Sequence, residues 1–363
     1  MTSSPGQPVL ARQKGPPALA RVSITEPAPI LSPKQRAKEK NERLFTKALE
    51  QPIIDIDKIR ESAWMGIPGK LRPTVWRLFL DYEPISRDSS ASTLKHKRKD
   101  YFDCLDRLYG KNQQALWTSS QKSTIHQIDI DLPRTPNKLL KDPRVTLLFQ
   151  HILFVWAVRH PASGYVQGMN DILLPFFIVF LSSYIQDMSI EDICKLENID
   201  SISDESLREI EGDCFWCFSK LLDGIQDVFT KDQPGLFRMI SALEELLKKV
   251  DPVLAQTFAD QNIETSQFAF KWMNCLLVRE FHLHMLFRIW DLYLSQVTRI
   301  ATVHVYVCAA MLTVLSPKIM ENVQECSIFM QSLSPKSWSE DELETILAQA
   351  YVYEKTFAFS KNH

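Results

Sequence analysis

The segment LFRMISALEELLKKV (residues 236–250) carries the clearest structural signal in the chain. Its apolar residues recur at the three- and four-residue spacing of one helix face, until Asp251 and Pro252 interrupt the pattern. Residues 145–156 show the same spacing. No pair of alternating strands is joined by an Asn-Gly or Asp-Gly turn. These patterns predict an all-α fold from about Phe45 onward.

The composition excludes several classes of protein. The 363 residues carry a formal net charge of −2, which gives no reason to expect nucleic acid as a partner. Only 10 residues are glycine, less than half the usual share of about 7%. Neither glycine-rich phosphate motif occurs, and HExxH and GxSxG are also missing. We therefore expect no cofactor or metal of its own, and no self-contained hydrolase.

Cysteine usage and hydropathy favour a cytoplasmic protein without a transmembrane segment. Seven cysteines cannot all pair, and we interpret Cys214 and Cys217 as two packed thiols of one helix. The apolar runs at 172–181 and 300–315 are shorter than the roughly 20 residues of a membrane span, so both predict buried helices. The N-terminus lacks the basic start and apolar run of a secretory signal.

The N-terminal segment differs from the remainder of the chain. Residues 1–43 hold 7 of the 20 prolines and eight basic against three acidic side chains, with no aromatic residue. Such a segment cannot bury enough apolar surface to become ordered, so a disordered, basic, Pro-rich tail is expected. The all-helical domain is then predicted to occupy residues 44–363.

Two polar stretches are expected at the surface of that domain. Residues 88–93 (DSSAST) predict an exposed loop. Residues 187–213 hold ten acidic side chains against Lys195 and Arg208 and predict a solvated loop and helix face.

Gly66–Trp76 (GIPGKLRPTVW) predicts a turn that opens a helix. Pro73 suits the first helical turn, where its missing N–H costs no hydrogen bond. Trp76 and Leu80 would then face the core, so this segment is more typical of scaffold than of a site.

The segment HQIDIDLPRT (residues 126–135) favours an arginine held on a stiff loop. Ile128 and Leu132 can anchor the loop, and Pro133 restricts the backbone before Arg134. A preorganised guanidinium suits an anionic partner. A purely local ion pair between Asp131 and Arg134 fits the same residues, and both interpretations stay open at this point.

The segment GYVQGMND (residues 164–171) predicts a turn that leads into an apolar helix. It holds two of the ten glycines, and Gly168 permits close approach of another backbone. Gln167 lies where the helix begins, while Asn170 and Asp171 can cap the helix or support the turn. A polar helix N-terminus without further function explains these residues equally well.

Together these segments resemble the TBC-domain family of Rab GTPase-activating proteins (GAPs). IDIDLPR (residues 128–134) matches the family's IxxDxxR motif, and YVQGMND (residues 165–171) matches its YxQ motif. Supporting matches are GIPGKLRPTVW (66–76), FWC (215–217) and FRIWD (287–291). The resemblance covers about residues 66–315, and KWMNCLLVREF (271–281) is most similar to the member 22 subgroup.

The resemblance implies a two-lobed, V-shaped helical domain that binds a Rab across its groove. Arg134 would be a finger that neutralises charge on the transferring phosphoryl group, and Gln167 would orient the attacking water. Asp131 would hold the arginine loop, and Tyr165 would shape the second loop through packing and a backbone contact. Supporting roles would fall to Ile128, Asn170, Asp171 and Arg72. GTP and Mg²⁺ would be carried by the Rab.

Other interpretations concern partners and location. An adaptor that binds Rabs or other trafficking proteins without accelerating hydrolysis is the alternative to a GAP. The stretch RVSITEP (residues 21–27) fits a phosphothreonine pattern read by 14-3-3 proteins, with Thr25 as the modified residue. The member 22 subgroup further suggests recruitment to Golgi membranes in vesicle trafficking.

Overall fold

The computed structural model describes residues 1–2, 32–110 and 112–358. Within these residues the chain forms sixteen α-helices: α1 (Pro33–Leu49), α2 (Ile56–Ser62), α3 (Arg72–Phe79), α4 (Arg87–Tyr109), α5 (Ser119–Asp131), α6 (Pro143–Arg159), α7 (Met169–Leu181), α8 (Ile190–Ile193), α9 (Asp204–Asp223), α10 (Pro234–Val250), α11 (Pro252–Asp260), α12 (Ser266–Asn274), α13 (Leu283–Ser295), α14 (Ile300–Glu321), α15 (Cys326–Ser332) and α16 (Glu340–Ala358). A single bridge between Ile53 and Ser86 is the only strand-like pairing in the described part of the chain. The predicted all-α fold is confirmed.

Two apolar helices form the centre of the core. Every residue of α7 is buried, and this helix packs against α9. Helix α14 packs between α10 and α16. With the turn before it, α14 forms the stretch Val297–Glu321, which is long and apolar enough to span a membrane, yet 67% of its most apolar window is buried. Both helices are therefore core elements, as their sequences predicted.

The first helix begins earlier than the predicted tail boundary. Helix α1 starts at Pro33, because Ser32 caps its N-terminus and Gln35 returns the hydrogen bond to the Ser32 backbone. Residues 33–43, assigned to the tail from composition, are thus helical. Residues 3–31, including Thr25, lie outside the described part of the chain.

The predicted loop at residues 88–93 is wrong. These residues form the first turns of α4, and the serine hydroxyls donate hydrogen bonds to groups in or just before the helix. Ser89 and Ser92 donate to carbonyls three residues back, and Ser90 donates to Glu83. A serine hydroxyl disfavours a helix when it bonds to backbone groups in a non-helical conformation. Here the hydroxyls have partners that are compatible with the helix.

The acidic stretch 187–213 is only partly solvated. It contains the short α8 and the start of α9, where Ser203 caps the helix. Its last two carboxylates are buried rather than exposed: Asp213 accepts from Tyr82 and pairs with Arg77 and Arg98, and Glu211 accepts from Tyr101. The sequence prediction therefore fails at this end, where paired acidic residues enter the core. Cys214 and Cys217 are buried beside them on α9, as expected.

A buried carboxylate on α13 joins the N-terminal part of the domain to its C-terminal part. Asp291 accepts hydrogen bonds from Arg72 Nε at 2.9 Å, from Trp76 Nε1 at 2.8 Å and from the Ile67 backbone N–H at 2.9 Å. The second Arg72 bond, from Nη2 at 3.0 Å, makes the ion pair bidentate. Arg72 is therefore an anchor of the scaffold.

Candidate functional site

The arginine turn follows directly from the end of α5. Ile128 and Leu132 are buried and fix this end of the helix against the core. A single 3₁₀ turn, Leu132–Arg134, then replaces α-helical geometry, with Pro133 inside it. Because proline removes a backbone N–H and restricts φ, the chain is held rigidly where it leaves the helix. Arg134 ends this turn rather than lying on an irregular loop.

The Arg134 side chain is 60% exposed, whereas the neighbouring Asp131 carboxylate is 1% exposed. Their closest atoms, Nη1 and Oδ1, lie 3.4 Å apart, which is long compared with the 2.7–2.9 Å of a strong charged hydrogen bond. The local ion pair, one of the two interpretations left open by the sequence, is present. It is weak enough, however, for the guanidinium to bind another anion.

The glutamine turn lies between α6 and α7. Gly164 and Gly168 both have positive φ, 64° and 105°, which favours glycine at each position. Gln167 is exposed, and no hydrogen bond within the described residues engages its side chain. Sequence analysis expected another backbone to approach Gly168. The close neighbour is instead the Asn274 side chain, whose Nδ2 would lie 2.4 Å from a Cβ added at Gly168.

Hydrogen bonds between buried and partly buried groups connect the two turns. The Tyr165 hydroxyl lies 3.1 Å from Asp131 Oδ2 and 3.3 Å from Asn170 Oδ1. Asn170 accepts from the Gly168 N–H at 3.1 Å and donates to Thr135 Oγ1 at 2.8 Å. The Asn170 side chain thus holds both Thr135, which follows Arg134, and Gly168, which follows Gln167. Burial and the nearby Asp131 raise the pKa of Tyr165, so the hydroxyl keeps its proton.

Asp171, the last residue of the YVQGMND segment, is fully buried and faces a partner that sequence analysis missed. Arg279 forms a bidentate pair with it, Nε to Oδ2 at 2.8 Å and Nη2 to Oδ1 at 3.2 Å. Burial raises the pKa of Asp171, and the Arg279 guanidinium opposes that shift. A single arginine after the apolar run CLLV is the sequence signal that could have indicated a buried partner.

Arg72, which sequence analysis placed among the supporting residues, is not part of this cluster. Its side-chain hydrogen bonds in the described part of the chain go to Asp291 and to the Ile67 carbonyl. The other predicted residues meet in one place: Arg134, Gln167, Asp131, Tyr165, Ile128, Asn170 and Asp171. Among the described residues no group of three His, Cys, Asp or Glu side chains could hold a metal ion.

The chemical capacity of this site is limited to binding and positioning. An exposed guanidinium and an exposed carboxamide lie on two turns that share buried supports. Neither side chain is a nucleophile with an adjacent base, so the arrangement suits stabilisation of an anion supplied by another molecule.

Known proteins resemble this chain in sequence. Residues 69–320 match the model of the Rab-GTPase-TBC domain. TBC1 domain family member 22B of Homo sapiens is 40% identical over 353 residues, covering 96% of this chain and 68% of that protein. The GTPase-activating protein gyp1 of Schizosaccharomyces pombe is 38% identical over 331 residues, covering 88% of this chain and 62% of its own length.

A solved structure has the same fold. The crystal structure of the Ypt/Rab-GAP domain of Gyp1p superimposes with a TM-score of 0.81 at 37% identity, over 88% of this chain and 99% of that one. The family model covers more than half of the chain, and the relative that is 40% identical covers 96% of it. A solved structure with the same fold covers 88% of it. The chain therefore belongs to the Rab-GTPase-TBC domain family.

Proposed function

We propose that this protein accelerates GTP hydrolysis by a Rab-family GTPase and supplies two side chains in trans. Arg134 neutralises charge that develops on the γ-phosphoryl group, and Gln167 orients the attacking water. The Rab brings GTP and Mg²⁺, so this chain contributes positioned donors and no cofactor of its own. The relatives named for GTPase activation and the family of the domain support this assignment.

The observation that carries the proposal is the joint support of two exposed side chains. The Asp131 carboxylate lies against both Arg134 and the Tyr165 hydroxyl. Asn170 bonds both Thr135 and the Gly168 N–H. A shared buried support lets two turns keep one relative geometry, which is what a transition state with fixed atoms requires.

The size of the expected effect follows from transition-state electrostatics. An arginine supplied in trans raises the rate of GTP hydrolysis by about 10³- to 10⁵-fold. That factor corresponds to about 4–7 kcal/mol of activation free energy. Because the 3₁₀ turn already fixes the backbone at Arg134, less backbone entropy is lost when the guanidinium meets the phosphate.

The test is single-turnover GTP hydrolysis across a panel of purified Rabs. We compare the wild-type protein with Arg134→Ala, and use Arg238→Ala, which removes an exposed arginine from α10, as the matched control. We expect stimulation of one or more Rabs by wild type and Arg238→Ala, and loss of nearly all of it in Arg134→Ala. Circular dichroism should give closely similar melting curves, because Arg134 lies outside the core.

An adaptor without GAP activity is the competing function. It has no physical requirement for an exposed arginine and glutamine at the ends of two connected turns. If the folded wild-type protein binds Rabs but stimulates none of them, the adaptor function replaces our proposal.

Two narrower proposals rest on the sequence and on the family alone. A 14-3-3 protein would bind Thr25 after phosphorylation, which equal binding of phosphorylated and unphosphorylated peptides would contradict. A cytoplasmic protein recruited peripherally to Golgi membranes for vesicle trafficking is the proposed location. Imaging of the tagged protein against an organelle marker tests it.

A further inference from the structure

A segment distant in sequence, residues 274–279, packs against the glutamine turn and supports it. Residues 274–279 begin at the last residue of α12, and three of their side chains contact the turn or the first residues of α7. These contacts bridge more than 100 positions of sequence, so this support exists only once the tertiary fold has formed.

Asn274 makes the contact nearest to Gln167. Its Nδ2 donates to the Gln167 backbone carbonyl at 2.9 Å. Asn274 is only 8% exposed, and its Oδ1 has no hydrogen-bond partner within the described residues. Burying an amide with an unpaired oxygen costs free energy. An apolar side chain of the same size would avoid that cost, so the Nδ2 donor is the part of Asn274 that the site uses.

The glutamine turn lies so close to this amide that only glycine fits at position 168. Asn274 Nδ2 and Cys275 Sγ would lie 2.4 and 3.2 Å from a Cβ at Gly168. The turn therefore rests directly on the 274–279 segment, with Gly168 required both by this contact and by its φ of 105°.

The other contacts of the segment hold the start of α7. Cys275 Sγ lies 3.5 Å from Asp171 Oδ2, and Arg279 pairs with the same carboxylate. The Asp171 N–H in turn donates to the Gly168 carbonyl at 3.1 Å. The peptide that joins Gln167 to Gly168 is itself held on both sides, because its carbonyl accepts from Asn274 and its N–H donates to Asn170 Oδ1.

The backbone of the segment is strained at two consecutive positions. Leu276 and Leu277 have positive φ, 47° and 65°, although both side chains are bulky and buried. Such conformations are unfavourable for residues with a bulky side chain and persist only where the surroundings enforce them. These two residues lie between Asn274 and Arg279, whose side chains bond the Gln167 carbonyl and the Asp171 carboxylate.

We propose that Asn274 is a positioning residue for the GAP reaction: by holding the Gln167 carbonyl it sets the direction in which the Gln167 side chain leaves the turn. The inference rests on the proposed function, because it assigns Gln167 the task of orienting water. Asn274 touches neither GTP nor the Rab in this account. It acts entirely through the backbone of Gln167.

The test separates kcat from KM for the stimulated reaction with a responsive Rab. Asn274→Leu removes the donor and keeps the branched shape of the side chain. Asn274→Asp preserves the shape and size but replaces the donor with an acceptor oxygen. Asn322→Asp, at an exposed helix end, is the matched control. We expect kcat to fall by at least about tenfold in both Asn274 variants, since small misplacements of a catalytic group are costly. KM should stay within about twofold, because uniform binding of the Rab is retained.

Hydrogen–deuterium exchange provides the structural readout. In the Asn274 variants, exchange should increase in peptides that cover residues 164–170, with the remainder of the domain unchanged. A kcat within about twofold of wild type in a folded variant would overturn the inference. So would unfolding of both variants, because Asn274 would then be an ordinary core residue.

Failure of this inference is distinguishable from failure of the proposed function. Gln167→Ala is measured in the same assay. If Gln167→Ala loses stimulation while the Asn274 variants keep it, only the inference on Asn274 fails. If Gln167→Ala keeps full stimulation, the proposed role of Gln167 fails as well.

Discussion

The Tyr165 hydroxyl lies 3.1 Å from Asp131 Oδ2, while Oδ1 of the same carboxylate faces Arg134. One buried carboxylate thus connects the arginine turn with the glutamine turn. The motif residues Asp131 and Tyr165 are 34 positions apart in sequence, and this bond explains why both belong to one site. The proposed activity depends on the geometry that this carboxylate maintains.

Tyr165→Phe removes the hydroxyl of that bond and keeps the ring. A hydrogen bond to a charged group contributes about 1.5–3 kcal/mol. If that energy serves positioning, GAP-stimulated hydrolysis should fall by about 10- to 100-fold. Single-turnover kinetics measure the change.

Tyr184→Phe is the matched control for Tyr165→Phe, because the Tyr184 hydroxyl also donates to a carboxylate, that of Glu209, away from the two turns. It should leave the rate unchanged. Equal rates for wild type and Tyr165→Phe would remove the bond between Tyr165 and Asp131 from the mechanism.

Asp291→Asn should destabilise the domain without altering the chemistry of the site. The substitution leaves the Arg72 guanidinium buried without its charged partner, which costs about 3–5 kcal/mol. Urea unfolding measures the free-energy difference. Asp57→Asn, in an exposed pair with Arg60, should change stability by no more than about 1 kcal/mol. Similar effects of the two substitutions would contradict the anchoring role of Asp291.

His304 should make the stability of the domain sensitive to acid. It is buried on α14, with Nδ1 2.7 Å from the Tyr293 hydroxyl, and burial lowers its pKa to about 3. An unfolded histidine titrates near pH 6.5, so the unfolded chain binds the proton first as the pH falls. The stabilisation is present above pH 6.5 and decreases below it by about 1.4 kcal/mol per pH unit toward pH 3.

His304→Gln removes this titration. Between pH 8 and pH 5 the wild-type protein should lose about 2 kcal/mol more unfolding free energy than the variant. Denaturant unfolding at several pH values tests this difference. Parallel pH dependences of the two proteins would show that His304 is not held in its neutral form.

The sequence predicted the helices well where the apolar spacing was regular. Residues 236–250 lie within α10, and Asp251, which interrupts the pattern, caps α11. Periodicity failed at residues 88–93, because the partners of the serine hydroxyls decide between helix and loop there. Composition alone does not show which groups those hydroxyls bond.

The same limit applies to the site. The motifs located Arg134, Gln167 and their near neighbours, since these residues lie within two short segments. Asn274 and Arg279 were not assigned to the site, because their contacts with Gln167 and Asp171 span 107 and 108 positions. Arg72 was assigned to the site although its charge is used 219 positions away, on Asp291. The long-range partner of each residue decides whether it supports the site or the scaffold, and residue type does not reveal that partner.

The most direct test of the central claim uses a responsive Rab whose own catalytic glutamine is replaced by alanine. If Gln167 orients the water in trans, single-turnover GTP hydrolysis by this Rab should still be stimulated by the wild-type protein. The same should hold for Gln256→Ala, an exposed control, but not for Gln167→Ala. If the wild-type protein no longer stimulates this Rab, the water is oriented by the Rab's glutamine, and the assignment of Gln167 is contradicted.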